Sequence, residues 1–394
     1  MKIVSFVGET FSGFDGSFYT KPTSAAFLQD AIGKGNIYVC SPCNKVDLKP
    51  NNFSTVVNES NYHPFPNYSS TKDFAIKCIL KKGYLESYQN AADKVISQHK
   101  GAYFWIRTPS IGSIVFGLQA LKAGEKVLHH MCADASNTWR DSKYSVIEKV
   151  FGFLLSRYIR LKLGQICSHK NTINLCTGDA LEKFSKKYAP NRTYQFVDLM
   201  VKEITDSATP PTISNIIKLL FIGRIVEDKG IFDLISSVSQ LEGNVQLTVI
   251  GDGPDLEAAE QLVSKLDISS RVFFKGQLPH SQLSAYLEST TLVVVPSNNY
   301  YEGFPRVIME AWAYKKPVIV SNVGGVKAFV EHGVNGLIFE QGDKVGLLSS
   351  LQLLIKDKNL LSNIQQGASK MRALSNQQYW IDQMLEVIGN KNEA

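Results

Sequence analysis

Short apolar runs separated by longer amphipathic stretches recur from residue 3 almost to the end of this 394-residue chain, and no other feature constrains its fold as much. Runs such as Ile3-Val-Ser-Phe-Val7, Leu219-Leu-Phe-Ile222 and Leu292-Val-Val-Val295 suit strands covered on both faces, with the amphipathic stretches as the covering helices. That is the βαβ pattern of an α/β protein built on parallel sheets. In the first half it predicts strands at 3–7, 37–39, 103–106, 126–130, 173–175 and 194–197, and helices at 22–32, 82–97, 111–122, 145–163 and 178–187. In the second half it predicts strands at 219–222, 246–250, 272–274, 292–295, 318–320 and 336–339. Helices are expected there at 231–240, 255–266, 281–288, 305–314, 327–331 and 345–356. The Asn-, Ser- and Pro-rich stretch 45–71 reads as irregular. The segment 359–388 reads as helical, with Tyr379, Trp380, Met384 and Val387 on one apolar face.

A chain this long exceeds one ordinary core, so two domains are expected. The boundary falls in the polar stretch 204–214, which contains Thr205-Asp-Ser-Ala-Thr-Pro-Pro-Thr212. This gives domains at 1–203 and 215–370, followed by a C-terminal helical segment, 371–394. No stretch approaches the roughly 18 uninterrupted apolar residues of a spanning helix. The apolar start is too short for a signal core and runs at once into Glu9 and Asp15. A cytoplasmic protein beginning on a buried strand is the expectation. The six cysteines all precede residue 210, which in a cytosolic chain suggests reduced thiols; Cys40-Ser-Pro-Cys43 has metal or redox spacing but no second pair, and reads as structural. Charge divides unevenly: residues 1–210 hold 26 Lys and Arg against 17 Asp and Glu, a net +9, whereas residues 211–394 hold 16 against 19, a net −3. The first half is therefore the one expected to meet an anionic surface. Within it, the stretch 144–163 sets Lys149, Arg157, Arg160 and Lys162 among Phe151, Phe153, Leu154, Leu155, Tyr158 and Ile159. Such a helix either rests on anionic headgroups or is buried with a snorkelling basic edge.

In open α/β sheets ligands bind beyond the carboxyl ends of strands, so the loops there carry the functional reading. After 219–222 comes Gly223-Arg224-Ile-Val-Glu-Asp-Lys229-Gly230, two glycines and two cations suited to a diphosphate. After 246–250, Gly251-Asp252-Gly253-Pro254 turns the chain into a helix. After 272–274, Gly276-Gln277-Leu278-Pro279 either offers amides to a nucleobase edge or is a plain turn. After 292–295 the chain reads Pro296-Ser297, then Tyr301-Glu302-Gly303-Phe304-Pro305-Arg306 and a helix through Glu310. The glycine admits a ligand to the backbone, the helix start favours phosphate, and the two carboxylates can accept hydrogen bonds from sugar hydroxyls. Taken alone, Glu302 and Glu310 also fit plainer roles, as a helix-dipole partner and an exposed helix acid.

The run Pro296-Ser297, Glu302-Gly303-Phe304-Pro305, Glu310-Ala311-Trp312-Ala313, Pro317-Val318-Ile319 and Gly324-Gly325 resembles the E-x7-E signature of retaining GT-B glycosyltransferases, glycosyltransferase family 4. Gly223-Arg224 with Lys229-Gly230, Gly251-Asp252-Gly253-Pro254 and Gly333-Val334-Asn335-Gly336 match the same pattern in order and spacing. The resemblance covers most of residues 216–345 and is weaker in 1–210. It implies two Rossmann-like domains facing a central cleft, the first for acceptor and the second for nucleotide sugar, with a C-terminal helix packing back on the first. It implies retaining transfer of a sugar from a nucleoside diphosphate donor, a UDP-sugar before a GDP-sugar, to a hydroxyl of a glycan or lipid-linked acceptor in polysaccharide, capsule or lipopolysaccharide synthesis. No metal or other cofactor is implied, in keeping with the missing Asp-x-Asp. Peripheral contact with an anionic membrane fits the basic first domain; nucleic acid is not an expected partner.

By the same resemblance Arg224 and Lys229 bind the diphosphate, Glu302 contacts the transferred sugar and Glu310 holds the ribose. Gly223, Gly303 and the amides around Phe304, Pro305 and Arg306 complete the phosphate site, while Gly276 and Leu278 border the base. Pro305 stands where glycine is frequent and removes one amide, and Asn298-Asn299-Tyr300-Tyr301 before the first acid departs from the pattern. In the first domain the loop Gly8-Glu9-Thr10-Phe-Ser-Gly13-Phe-Asp15-Gly16 brings Gly13 to the donor and Asp15 to the acceptor. One of His129 and His130, with His130 preferred, lies near the transferred sugar, and Arg107 and Asp134 are further acceptor candidates. The alternatives are a nucleotide-sugar epimerase, a phosphorylase-like enzyme, or a non-catalytic sugar-nucleotide-binding subunit.

Overall fold

The structure, a computed structural model, describes residues 1–50, 53–140, 144–202 and 216–389. The expected linker, 204–214, lies outside the described residues. The chain divides into two compact units, Met1–Met200 and Val201–Ala394.

The first unit contains β1 (Ile3–Phe6), β2 (Phe11–Phe14), β3 (Ser17–Thr20), β4 (Ile37–Lys45), β5 (Thr55–Asn58), β6 (Tyr62–Phe65), β7 (Tyr103–Thr108), β8 (Lys126–Met131), β9 (Thr172–Cys176) and β10 (Thr193–Gln195). They join in the order β10-β9-β8-β7-β1-β4-β2-β3-β5, with β6 also paired to β4. From β10 to β4 every pairing is parallel, and β1 lies central and fully buried between β4 and β7. The loop expected after β1 is instead largely a hairpin: Asp15 (φ 46) and Gly16 (φ 65) make a two-residue turn between the antiparallel β2 and β3. Asp-Gly supplies the two positive φ angles that such a turn requires, and the signal was present in the sequence. The segment expected to be irregular holds β5 and β6, fixed where Tyr62 stacks on Phe18 at 3.8 Å. An additional helix, Thr71–Leu80, precedes the helix Tyr84–Gln98. Cys40 and Cys43 both lie on β4, and the cysteines are free thiols.

The second unit contains β11 (Ile217–Ile222), β12 (Val245–Ile250), β13 (Val272–Phe274), β14 (Leu292–Val295), β15 (Val318–Ser321) and β16 (Leu337–Phe339). All pairings in this sheet are parallel, in the order β13-β12-β11-β14-β15-β16. On one face Leu219, Leu247, Val249 and Leu292 are buried among helix residues Leu234, Ile235, Val238 and Leu351, and their neighbours Leu220, Ile250 and Val293 on the other are buried as well, so both faces are covered. The stretch 327–331 makes a short 3-10 turn, Val326–Ala328, in place of a helix. The C-terminal segment breaks into helices Lys358–Lys370 and Gln377–Gly389 around a 3-10 turn. Gln377, Trp380, Ile381, Met384 and Ile388 form the buried side of the last helix, leaving Tyr379 and Val387 half-buried at its flanks. Trp380 packs edge to face against Phe329 of the same unit.

His129, on β8, is enclosed between Thr108 and Asn174, with ring nitrogens 2.9 and 3.1 Å from their side-chain oxygens. Burial lowers its pKa from 6.5 to about 4, partly offset by the Asn174 hydrogen bond. The unfolded chain therefore binds the extra proton at higher pH than the folded one, so stability present above pH 6.5 is lost as pH falls through 6.5 toward 4. We predict that chemical denaturation across this window shows a decline on the order of 3 kcal/mol that His129→Gln flattens; an unchanged slope in the variant would assign the decline to other groups.

Candidate functional site

The winding of the second sheet reverses between β11 and β14: the chain proceeds outward from β11 to β13, then returns to the other side of β11 to begin β14. Loops leaving the carboxyl ends of these two neighbours diverge and leave a crevice, the usual ligand position in such sheets. The loop after β11 contains Gly223 and Arg224, then a 3-10 turn, Glu227–Lys229, closed by Gly230 in the left-handed region (φ 72). The loop after β14 contains Pro296, Ser297 and Glu302 before the helix Val307–Ala313.

These two loops meet at one carboxylate. Lys229 Nζ lies 2.5 Å from Glu302 Oε2, and the same oxygen accepts a 2.8 Å hydrogen bond from Ser297 Oγ. The close approach depends on Gly230, since a Cβ there would stand 1.8 Å from the Pro296 carbonyl oxygen. A Cβ on Gly324 would likewise meet the carbonyls of Glu302 and Gly303 at 2.1 Å. Ser321 Oγ holds the Ser297 carbonyl at 2.6 Å, and Asn298 N donates to the Asp228 carbonyl at 2.8 Å. Asn298 ties in a further loop: its Nδ2 donates to Asp233 and its Oδ1 accepts from Gly342 N. Ser297 and Asn298 had no role assigned from sequence; Asn298 belongs to the run that departs from the family pattern, and that departure was its only signal.

Arg224, on the same loop as Lys229, is exposed, with no charged partner among the described residues. Glu310, half-buried, lies in the first turn of the helix Val307–Ala313, and half-buried Arg306 occupies the N-cap position of the same helix. Gly303 is held by Gly325 N at 2.8 Å, while the Phe304 ring is buried edge to face against Phe329. Phe304 and the buried Pro305 thus anchor the helix start. Gly276 receives a bond from Gly251 N through its carbonyl, and Leu278 is half-buried just before the helix His280–Ser289. Asn335 of the Gly333–Gly336 turn is buried and clamps that turn through Glu331 N and the Phe329 carbonyl.

In the first unit the candidates separate. Gly13 is in β2, and Asp15 is at the exposed tip of the hairpin. Arg107 ends β7 between two acids, 3.9 Å from Glu9 and 3.8 Å from Asp198. Asp198 also accepts from Ser24 Oγ at 2.7 Å, and Glu9 accepts from Thr20 and Thr23. This carboxyl-edge cluster joins residues far apart in the chain, which is why neither acid was singled out from sequence. Asp134 pairs loosely with Arg160 at 4.0 Å. His130 is fully buried between the rings of Trp105 and Phe196, with Nε2 3.1 Å from Thr177 Oγ1. Among the described residues no group of three or more His, Cys, Asp or Glu is placed to hold a metal ion.

The family described as Glycosyl transferases group 1 matches from residue 206 to residue 371. The matched residues include both Lys229 and Glu302. Relatives include two lipopolysaccharide core biosynthesis glycosyltransferases of Rhizobium meliloti (strain 1021). LpsD is 34% identical over 151 residues, 38% of this chain and 42% of its own. LpsE is 28% identical over 174 residues, 44% of this chain and 50% of its own. The chain thus spans half or less of the length of these relatives. The structure of HepE from Anabaena in complex with UDP aligns with 99% of this chain and 100% of its own, at a TM-score of 0.67 and 16% identity. Sucrose-phosphate synthase from Thermosynechococcus elongatus aligns over 100% of both chains, at a TM-score of 0.68 and 17% identity. The fold is GT-B.

Replacing Gly230 by alanine should lower stability by about 3 kcal/mol or more, because both the left-handed backbone and the Pro296 carbonyl oppose a Cβ. Urea denaturation measures this; a change under about 0.5 kcal/mol would show that the two loops do not require their close approach.

Proposed function

We propose that the protein is a retaining glycosyltransferase that moves a sugar from a nucleoside diphosphate donor, a UDP-sugar in the first instance, to a hydroxyl of a glycan or lipid-linked acceptor. The observation carrying this reading is the ion pair of Lys229 and Glu302 at the switch point between β11 and β14, with the exposed Arg224 on the same loop as the lysine. Without ligand the lysine and the acid compensate each other. An arriving diphosphate attracts Lys229 and Arg224, and Glu302 is then released to accept hydrogen bonds from hydroxyls of the donor sugar.

As the glycosidic bond to phosphate breaks, negative charge grows on the leaving diphosphate, and two fixed cations stabilise that charge more than the ground state. The departing phosphate takes the proton of the incoming hydroxyl on the same face, so the anomeric configuration is kept and no protein base is needed. Glu310 holds the ribose, and Gly276 with Leu278 borders the base. Arg224 and Lys229 supply the positive charge at the diphosphate, so we propose that turnover needs no metal. With its ring enclosed, His130 is not counted among the groups we propose to touch substrate. The relatives in lipopolysaccharide core synthesis support an acceptor of surface polysaccharide type and a cytoplasmic site of action.

The test is a thermal-shift and hydrolysis screen against UDP-, GDP- and ADP-sugars. UDP-sugars should raise Tm and be slowly hydrolysed in the presence of EDTA, with Arg224→Ala and Lys229→Ala each lowering turnover about a hundredfold. Glu302→Ala should retain binding of UDP and lose turnover of the sugar nucleotide. A wild-type protein stabilised by no nucleotide, or variants behaving as wild type, would overturn the assignment.

A further inference from the structure

The helix Val146–Ser168 opens on a capping box between Ser145 and Glu148 and is apolar on two opposite sides. Ser156, Ile159, Leu163, Ile166 and Cys167 face the interior of the first unit. The outward side carries Ile147, Val150, Phe151, Leu154, Tyr158 and Leu161, spaced by one, three or four residues along four turns, with Ile147 83% and Leu154 61% exposed. A helix with one side on a core normally turns polar residues to water. Single exposed apolar residues are ordinary, whereas six aligned on one face mark a contact surface.

A second stripe adjoins it. The helix Thr71–Leu80 exposes Ile76, Ile79 (75%) and Leu80 (77%), on the same face as Lys72. Lys72 Nζ lies 2.9 Å from Glu148 Oε1, which ties that face to the start of the longer helix. Cations border the apolar surface. The Arg157 guanidinium lies 4.9 Å from the Phe153 ring centroid and the Lys162 ammonium 5.5 Å from that of Tyr158. Lys81 and Lys82 follow the shorter helix, both exposed. The helix Val146–Ser168 has four cations, Lys149, Arg157, Arg160 and Lys162, against the single acid Glu148, and Met1–Met200 holds 25 Lys and Arg against 15 Asp and Glu. Among the described residues no helix is long and apolar enough to cross a membrane.

We propose that this face lies on an anionic lipid surface, with the apolar stripes of the two helices inserted among the acyl chains and the flanking Arg157, Lys162, Lys81 and Lys82 at the headgroups. The stripe from Ile147 to Leu161 extends about 22 Å at 1.5 Å per residue, lying in the plane of the interface. Insertion removes the apolar side chains from water, and the cations select the negatively charged leaflet. Long basic side chains beside aromatic rings can keep their stems at the apolar boundary while their charges reach phosphate. The surface is independent of the chemistry proposed for the second unit.

The test is co-sedimentation of the full chain with vesicles of phosphatidylcholine, with and without phosphatidylglycerol. The wild-type protein should bind the phosphatidylglycerol vesicles and be released by salt. The combined change Ile147→Ser, Leu154→Ser and Leu161→Ser should weaken binding at least about tenfold with circular dichroism and Tm unchanged, because these side chains are exposed. Arg157→Gln with Lys162→Gln should weaken binding about tenfold on the anionic vesicles alone. Three outcomes would overturn the proposal: no vesicle binding by the wild type, equal binding by the triple variant, or a wild-type dimer that binds no vesicle and becomes monomeric in that variant. The Tm shift with UDP, measured on the same samples, separates the two readings. Vesicle binding without a UDP shift removes the donor assignment only, and a UDP shift without vesicle binding removes the membrane surface only.

Discussion

Loops leaving β11 and β14 are obliged to part because the second sheet reverses its winding there, and the 2.5 Å pair of Lys229 and Glu302 forms where they come back together. Several otherwise unrelated features serve that meeting. Gly230 removes the Cβ that would strike Pro296, Ser297 gives the carboxylate a second donor, and Ser321 holds the Ser297 backbone. Asn298 ties the loop after β14 to Asp233 and Gly342, which links the neighbouring loops to the one that carries the acid. A cation and an anion held in contact by a rigid shell are prepared for a ligand bearing both phosphate and hydroxyl groups, because each partner has something to exchange for the other.

Much of this arrangement was legible in the sequence, for physical reasons. Strands buried on both faces need continuous apolar runs, so β11, β12, β14 and β15 stood out as such runs. Glycines and charges directly after strand ends pointed to Arg224, Lys229 and Glu302 before their proximity was known. What did not show was anything set by contact across the chain. The Glu9–Arg107–Asp198 cluster brings together residues about a hundred positions apart, and nothing local to any of them announces it. The burial of His130 between Trp105 and Phe196 is likewise a product of packing, since alternation along a strand cannot say that both sides of β8 are covered. The Asp15-Gly16 hairpin is different: its turn signal was available, and the resemblance to a glycine-rich loop obscured it.

The two units also differ in what their surfaces ask for. The second unit holds a paired lysine and glutamate at its strand ends, whereas the first unit places an exposed apolar stripe and a net positive charge on its outside. An enzyme whose donor is water-soluble and whose acceptor is carried by lipid would need both kinds of surface, one for each substrate.

The proposed function requires that the Lys229–Glu302 crevice receive the diphosphate. A crystal structure with UDP bound tests this most directly. It should show the diphosphate between the loops after β11 and β14, Lys229 Nζ and the Arg224 guanidinium on phosphate oxygens, and Glu302 separated from the lysine. UDP bound elsewhere, or bound with the Lys229–Glu302 pair intact and no phosphate contact from either cation, would contradict it.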